Sequence, residues 1–234
     1  MGKVKAILAV VAVVLVGALI VFNASNPTTA EVAAWNPAMA KGNRETGKHY
    51  IMYTDIFCPY CDKFSNAMHA NIGEFTTDYI DSGKVYYEVR VTDINYRSGH
   101  SENSRPGGEA IYCAAQQGKF WEYYRGILDK LYADYHSKGI GVSRTSEEIP
   151  VLENEYFYGV GETAGLDASV FRDCMEGHKS LEELNSATEK ASRLIASGVP
   201  YFVFGKYKAS GFDGNWDTAN DWRQVRLMLE AGLQ

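Results

Sequence analysis

The sequence has little cysteine, little proline and no cluster of basic residues. Its 234 residues include four cysteines, six prolines and 22 glycines. Small disulfide-rich folds are much denser in cysteine, and collagen-like chains need far more glycine and proline. Lysine and arginine number 23 against 29 acidic residues, which gives a formal net charge of −6. The chain therefore lacks the basic surface of nucleic-acid-binding proteins, and no nucleic acid is expected as a partner.

The composition is instead that of a chain with a folded core. Hydrophobic residues make up 46% of the sequence and charged residues 22%, which excludes a disordered chain. The length suits one domain of ordinary size with an insertion, or at most two small domains. The mean hydropathy is slightly negative, so a protein with many membrane spans is excluded as well.

One long hydrophobic run, residues 6–22, contains no charged side chain. Its 17 residues would form a helix about 25 Å long, just enough to cross a bilayer. Lys3 and Lys5 precede the run, and residues 23–40 have no lysine or arginine, so the positive-inside rule places the N-terminus in the cytoplasm. We expect residues 1–22 to be a single-pass anchor in the cell membrane, with the rest extracytoplasmic. A cleaved signal peptide is the alternative, and it would export the domain too.

The folded domain is predicted to cover residues 48–234, because residues 23–47 are small and polar and read as a linker. Residues 49–57 are aromatic and β-branched and predict a strand. Residues 59–80 have apolar side chains at helical spacing, and residues 84–91 predict a second strand. A connection of this length joins parallel strands. The order therefore predicts a βαβ unit.

A block of helices is predicted as an insertion at about residues 105–178, after a long polar loop over residues 92–108. Thr145 and Glu148 have the spacing of a capping box, and Asp167 is a candidate N-cap for a short helix. These signals place helix starts inside the insertion.

The C-terminal part is predicted to contain a helix, a strand, a turn with a partner strand, and a closing helix, over residues 181–198, 201–204, 205–214 and 218–231. Ser180 and Glu183 form a second capping-box pattern at the start of the first of these helices. The glycine-rich residues 159–165 look like a dinucleotide fingerprint. Because no strand-turn-helix unit surrounds them, they are predicted to be a loop.

Cys58 and Cys61 stand where the first predicted strand ends and the helix begins, with Pro59 and Tyr60 between them. Unpaired backbone N–H groups and the positive end of the helix dipole stabilise a thiolate there. Pro59 costs the helix little in its first turn, because its missing N–H would have no partner. Cys58 is therefore predicted to be both nucleophile and leaving group, with Cys61 resolving mixed disulfides. Tyr60 is expected to be exposed beside the substrate.

Two other interpretations of this C-x-x-C motif stay open. Half of a zinc site would need further ligands, but Cys113 and Cys174 are 61 positions apart, and the five histidines show no ligand spacing. An inert disulfide would stabilise little, because it closes a very short loop. No metal site is expected.

Three segments resemble the DsbA-like branch of the thioredoxin superfamily: residues 53–61 (YTDIFCPYC), 109–121 (EAIYCAAQQGKFW) and 198–203 (GVPYFV). The likeness extends over residues 49–233. It implies an α/β, thioredoxin-like fold of βαβ and ββα halves with an all-helical insertion, in which Cys58 is the attacked or attacking sulfur. It also implies a cis peptide bond between Val199 and Pro200, next to Cys58, which leaves backbone groups free to pair with an incoming peptide.

The resemblance further suggests that Cys113 and Cys174 form a structural disulfide; two buried free thiols are the alternative. Met52 stands six residues before Cys58, where many relatives carry a buried carboxylate, so the route of the proton is open. Asp55, three residues before Cys58, matches the pattern of the branch. A hydrogen-bonding role and a plain surface position are both open for it.

Together, the motifs and the resemblance predict an extracytoplasmic thiol-disulfide oxidoreductase that introduces disulfides into exported, cysteine-containing proteins. Such bonds persist only in an oxidising compartment. The resemblance implies reoxidation by a quinone-linked membrane partner of the DsbB or VKOR type; no cofactor is implied, and the protein is expected to be a monomer. A reductase or isomerase would use the same residues. A non-catalytic module that binds clients or zinc is the alternative from another class.

Overall fold

The computed structural model describes residues 36–143, 145–195, 198–205 and 207–234. A mixed sheet lies at the centre of this part, with helices against both faces. In chain order its strands are β1 (Ala40–Lys41), β2 (Lys48–Thr54), β3 (Val85–Val91), β4 (Tyr201–Phe204) and β5 (Tyr207–Ser210). Across the sheet the order is β1-β3-β2-β4-β5. The predicted membrane anchor, residues 1–22, lies outside the described residues.

The helices of the described part are α1 (Pro59–Ala70), α2 (Ile72–Phe75), α3 (Ile94–Arg97), α4 (Ser104–Gln116), α5 (Phe120–Asp134), α6 (Asn154–Thr163), α7 (Ala168–Glu176), α8 (Leu181–Leu194) and α9 (Thr218–Leu233). A π-helical turn, Thr76–Asp81, follows α2, and 3-10 turns cover Pro37–Met39 and His136–Lys138. Among these helices, none is both long and apolar enough to cross a membrane.

The predicted βαβ unit is confirmed. Strands β2 and β3 are parallel along their whole length, from Lys48 opposite Val85 to Thr54 opposite Val91. Strand β4 pairs antiparallel with the other side of β2, and β5 pairs antiparallel with β4, as the predicted turn and partner strand require. This α/β, thioredoxin-like arrangement buries β2 in the middle of the sheet. The chain leaves the sheet at Thr54, so the residues that follow lie at its centre.

Side chains of β2 alternate between two hydrophobic cores, as the period of two in a strand requires. Tyr50 and Met52 belong to the larger core, which also contains residues of α1, α4, α5 and α9. Ile51 and Tyr53 belong to a smaller core on the opposite face, with Ala191 of α8. Helix α1, which begins at the candidate site, is thus anchored on the larger core through Phe64 and other buried residues.

The insertion is all-helical from α4 to α7. A disulfide between Cys113 in α4 and Cys174 in α7 links its first helix to its last, with the two Cα atoms 6.0 Å apart. Asp167 is the N-cap of α7, as predicted, and its carboxylate accepts the backbone N–H groups of Ser169 and Val170. The disulfide suggested by the family resemblance is therefore present in the fold.

Part of the predicted linker belongs to the domain. Ala40 and Lys41 form β1, which pairs with Glu88 and Tyr87 of β3. The turn before β1 buries Met39, and this apolar contact holds the segment on the sheet. The described residues of the segment predicted as a linker up to residue 47 therefore fold with the sheet, ahead of the predicted domain start at 48.

Two glycine-containing segments predicted as loops are helical, and both predictions were wrong for the same reason. Helix α4 begins at Ser104, inside the loop predicted over residues 92–108, and residues 159–163 lie inside α6. A Cβ on Gly107 would lie 2.6 Å from Cδ1 of Ile56, and a Cβ on Gly161 would lie 2.9 Å from Cδ1 of Phe171. These glycines allow close packing, and tertiary contact outweighs their low helix propensity.

Neither predicted capping box forms. The described residues from Thr145 up to the start of α6 at Asn154 form no regular secondary structure, so no helix starts at Thr145. Ser180 is the N-cap of α8, so the helix start is confirmed, but its hydroxyl donates to the carbonyl of Glu109 at 2.9 Å. Glu183 instead accepts a hydrogen bond from the Asn36 amide at 2.7 Å. Ser180 and Glu183 thus form hydrogen bonds with residues distant in sequence, and these replace the local bonds of a capping box.

The two predicted long helices are shorter than expected. The helix predicted over residues 59–80 breaks at Asn71, whose φ of −118° and ψ of 25° are not helical. Helix α8 ends at Leu194 rather than near Gly198. The first break lies about three turns from the candidate site.

Candidate active site

Cys58 and Cys61 occupy the position that the sequence predicts. Cys58 is the N-cap of α1, and its Sγ accepts the backbone N–H of Cys61 at 3.4 Å. Pro59 is the first residue of the helix. Both cysteines are free thiols and both are buried, with exposed fractions of 4% for Cys58 and 1% for Cys61. The sulfur of Cys58 therefore lies where unpaired N–H groups of a helix N-terminus favour negative charge.

The loop before β4 lies against Cys58. The Val199–Pro200 peptide bond is cis, and the Cys58 thiol donates to the Val199 carbonyl at 3.4 Å. The loop is fixed to the end of β5, because the N–H of Gly211 donates to the Pro200 carbonyl at 2.8 Å. The hydroxyl of Ser210 also donates to the carbonyl of Gly198, at 3.1 Å. The fold thus brings residues 141 positions apart into one site.

The two sulfurs have different environments. Burial raises the pKa of the Cys61 thiol well above its ordinary value, and the neighbouring Cys58 raises it further. Cys61 is therefore protonated at neutral pH. Cys58 is nearer the surface and caps the helix, so it is the sulfur that a second molecule can reach.

Asp55 has a buried hydrogen-bonding position, which settles the question that the sequence left open. Its Oδ1 accepts the N–H of Phe57 at 3.0 Å. Its Oδ2 accepts the N–H of Asn95 at 3.0 Å and the hydroxyl of Ser104. Burial raises the pKa of Asp55 to about 6, although these hydrogen bonds act in the opposite direction. The carboxyl group connects the segment before Cys58 to α3 and α4.

Met52 takes an apolar position in the core beneath the site. Its sulfur accepts a hydrogen bond from the Tyr87 hydroxyl at 3.8 Å.

Near the buried side of α1, the hydroxyls of Ser65 and Tyr124 lie 2.8 Å apart. No local pattern predicts this contact, because Ser65 and Tyr124 belong to different helices and are 59 positions apart in sequence.

An aromatic surface surrounds the exposed side of the motif. Tyr60 is 42% exposed, in agreement with the prediction. The ammonium group of Lys63 lies 4.9 Å from the centre of the Tyr60 ring and 5.9 Å from that of Trp216. The Trp216 ring in turn lies 4.8 Å from the ring of Tyr132. Sequence reasoning missed Lys63, Trp216 and Tyr132, which share no local motif.

A buried acid–imidazole pair lies on the other side of Cys61. Oδ2 of Asp62, the residue after Cys61, is 2.8 Å from Nδ1 of His136. In the sequence, His136 is one of five scattered histidines without ligand spacing. Across residues 36–143, 145–195, 198–205 and 207–234, no three side chains of the metal-ligating types come together.

These features together define a class of protein: a thioredoxin-like fold with a C-x-x-C pair at a helix N-terminus and a cis-proline loop against its first sulfur. The sequence profile of the family described as Thioredoxin matches residues 36–229. The chain belongs to this thioredoxin family. A comparison with the curated proteins finds no match.

Solved structures with the same fold come from several bacteria. Oxidised BdbD from Bacillus subtilis has a TM-score of 0.63 at 13% identity, over 89% of this chain and 96% of that one. MdbA, a thiol-disulfide oxidoreductase from Corynebacterium diphtheriae, has a TM-score of 0.56 at 17% identity, over 89% of this chain and 92% of that one. DsbA from Chlamydia trachomatis has a TM-score of 0.52 at 15% identity, over 81% and 92%. At these identities the likeness shows a shared fold.

Proposed function

We propose that the protein is a thiol-disulfide oxidoreductase that donates a Cys58–Cys61 disulfide to exported proteins. The observation that carries the proposal is the contact between Cys58 and the cis-proline loop, where the Cys58 thiol donates to the Val199 carbonyl at 3.4 Å. An extended client segment can pair with the backbone beside Val199, as peptides do at exposed strand edges. Its own cysteine then lies next to Cys58. The similar structure MdbA is that of a thiol-disulfide oxidoreductase, which supports this chemistry.

The proposed reaction starts from the oxidised protein. A client thiolate attacks Sγ of Cys58, the Cys58–Cys61 bond breaks, and Cys61 leaves with the electron pair and takes up a proton. A second client thiolate attacks the client sulfur of the mixed disulfide and releases Cys58 as a thiolate. The client loses two electrons and two thiol protons, one of which Cys61 holds and one of which goes to solvent. The protein gains the two electrons and ends with Cys61 as a thiol and Cys58 as a thiolate.

The burial of Cys61 supports the oxidising direction. A thiolate is the nucleophile in disulfide exchange, and burial raises the pKa of Cys61 well above its ordinary value. Cys61 therefore attacks the mixed disulfide slowly at neutral pH, which leaves time for the second client thiolate. A reductase or isomerase would use the same two cysteines in the opposite or a shuffling direction.

The location and the recycling partner are proposed from the sequence. The apolar residues 6–22, with lysines before them and none in residues 23–40, support a single-pass anchor in the cell membrane and an extracytoplasmic domain. Each donated disulfide leaves the protein reduced. A membrane-bound, quinone-linked oxidase of the DsbB or VKOR type would restore it, and it would find the anchored domain at the same membrane.

The test is to trap the mixed disulfide. In the full chain, Cys61→Ala removes the thiol that can attack the mixed disulfide from within the protein. We expect a reduced protein with a single cysteine, presented with glutathione disulfide, to accumulate as a covalent adduct of Cys58, because it has no second thiolate with which to release itself. Cys58→Ser is the matched control and is expected to form none, because its one remaining free thiol, Cys61, is buried and Cys113 and Cys174 are joined to each other. The adducts are read on non-reducing gels and by mass spectrometry.

Each contrary result has a separate meaning. A Cys58→Ser protein as active as the wild type would support the non-catalytic binding module instead. The wild type's reduction potential against glutathione decides direction: a value near that of thioredoxin, about −270 mV, would favour a reductase.

A further inference from the structure

A buried pair of titratable side chains, Asp62 and His136, lies beside Cys58 and Cys61 and takes no part in the exchange proposed above. Asp62 stands in the first turn of α1, and its backbone N–H donates to the carbonyl of Cys58 at 3.1 Å. Its Oδ2 lies 2.8 Å from Nδ1 of His136. The two side chains are only 2% and 1% exposed. Two ionisable groups are thus held in the dry interior at the N-terminus of the reactive helix.

The hydrogen bonding of His136 indicates which member of the pair carries the charge. In the described part of the chain, its Nε2 is buried and has no hydrogen-bond partner. A protonated imidazole would leave a charged N–H donor without an acceptor at this place, which costs more than an unused lone pair. We therefore assign a neutral His136 that donates its Nδ1–H to an ionised Asp62. Burial raises the pKa of Asp62, and the contact with His136 opposes that rise.

Two charged or titratable groups of α5, Tyr124 and Arg125, interact with Asp62. Cys58 is the N-cap of the helix whose first turn contains Cys61 and Asp62, and Asp221 on α9 accepts the backbone N–H of Trp216. The Trp216 ring covers the imidazole, with the two ring centres 5.6 Å apart. Arg125 is itself in an ion pair with Asp129. Its positive charge is therefore shared, and a net negative charge remains on the Asp62–His136 pair.

We propose that this pair restrains the oxidising power of the Cys58–Cys61 disulfide, a role that rests on the proposed function. The carboxylate of Asp62 and a thiolate of Cys58 occupy the same helix N-terminus, which carries a partial charge of only about +0.5. Each anion therefore disfavours the other. The thiolate belongs to the reduced protein, so Asp62 makes reduction less favourable and the disulfide a weaker oxidant. His136 is the positioning residue that keeps Asp62 ionised.

The coupling acts in both directions. Formation of the Cys58 thiolate makes the pair bind a proton more readily, by the same factor by which protonation of the pair favours the thiolate. When the pH falls and the pair takes up a proton, the negative charge disappears and more of Cys58 is thiolate than it would otherwise be. The pair thus makes the site relatively more oxidising in acidic surroundings.

The first test removes the charge and keeps the shape. Asn in Asp62→Asn is of equal size and still offers an oxygen to Nδ1–H of His136. We expect the pH midpoint of Cys58 thiolate formation, followed by ultraviolet absorbance of the full chain, to fall by about one pH unit. We also expect the equilibrium with glutathione to shift about tenfold toward the reduced protein, or about 30 mV.

The matched control is Asp78→Asn, which removes the same charge from an exposed position of the π-helical turn. It is expected to leave both quantities unchanged. A folded Asp62→Asn protein with an unchanged midpoint and an unchanged potential would overturn the proposal.

A second test needs no substitution and so does not depend on the variant's folding. We expect the NMR titration of the Asp62 carboxyl carbon to have its midpoint about one pH unit higher in the reduced wild type than in the oxidised wild type. Identical titration curves would overturn the coupling. This outcome is distinct from a failure of the proposed function, because the trapping of clients by Cys61→Ala is measured independently of this titration.

Discussion

Asp55 shows at the scale of one residue how the segment before Cys58 is held. Its carboxyl group accepts hydrogen bonds from Phe57, Asn95 and Ser104, and its side chain is fully buried. These partners belong to the active-site segment, to α3 and to α4. A buried carboxylate is destabilising unless hydrogen bonds satisfy it. The ionisation of Asp55 should therefore change the free energy of unfolding of the whole protein.

We expect the difference in stability between the wild type and Asp55→Asn to depend on pH. In the native state burial raises the pKa of Asp55 from 3.8 to about 6, so between these values the native state binds a proton that the unfolded state has lost. The contribution of Asp55 to stability is therefore greatest below pH 4 and is lost as the pH rises through 6, by about 2–3 kcal/mol.

The measurement is urea unfolding of both proteins at pH 4, 5.5 and 7. Asn keeps only one acceptor oxygen and so loses at least one of the three hydrogen bonds, and the variant is expected to be the less stable protein throughout. The advantage of the wild type should be larger at pH 4 than at pH 7. An advantage that is constant, or that grows with pH, would contradict the raised pKa.

Local patterns were sufficient to predict some site residues but not others. Cys58, Cys61 and Pro200 carry short signals whose chemistry depends on their neighbours in sequence. Asp62 and His136 are 74 positions apart, and no periodicity shows which helix faces will meet. The pairs that tune a site depend on tertiary packing, which a single sequence does not reveal.

At the scale of an element, α6 shows why glycine content alone misleads. Gly159 is exposed, and a Cβ built there meets no atom within 4 Å. Gly161, two residues further along, packs against the ring of Phe171 in α7, at 2.9 Å from the built Cβ. The same residue type is therefore unfavourable at one position and required at the other.

Alanine substitutions at these two positions are expected to have opposite effects. Gly159→Ala should raise the free energy of unfolding by about 0.5–1 kcal/mol, because alanine loses less backbone entropy in a helix. Gly161→Ala should lower it by about 1–2 kcal/mol, because the buried Phe171 cannot move away freely. Urea unfolding of the two variants provides an internal comparison. Effects of the same sign would show that the packing of α6 on α7 does not decide the role of Gly161.

Elements with a strong periodic pattern were predicted well. Helix starts that rest on a short capping pattern, and the ends of the long helices, were not. The aromatic and β-branched run became β2, and the helix after it begins at Pro59, as predicted. The starts expected at Thr145 and from the Ser180–Glu183 pattern rest on four-residue signals. Contacts from elsewhere in the chain replaced them, as when Ser180 donates to Glu109. Capping patterns this short compete with tertiary hydrogen bonds of similar strength.

At the scale of the whole molecule, the Cys113–Cys174 disulfide stabilises the insertion on which α1 and Asp62 depend. It closes a loop of 61 positions, which corresponds to about 4 kcal/mol in the chain-entropy treatment. Replacing both cysteines by alanine is expected to lower the free energy of unfolding by about this amount.

Calorimetry and urea unfolding measure the loss. The alkylation rate of Cys58 below the melting temperature should stay at the wild-type value, because the disulfide lies outside the reactive pair. A stability loss under 1 kcal/mol would show that the reduced insertion keeps its structure without the crosslink.

The sheet order has a consequence for the synthesis of the protein. Met52 in β2 pairs with Phe202 in β4, 150 positions later. All four cysteines lie between these two residues and are therefore synthesised before β4. At roughly 5–20 residues per second, about 8–30 s separate the two strands. Throughout that interval the nascent chain has thiols but no loop at Val199 to receive another chain. The protein therefore passes through the state of its own proposed clients, an unfinished chain with unpaired cysteines, before it can act on any of them.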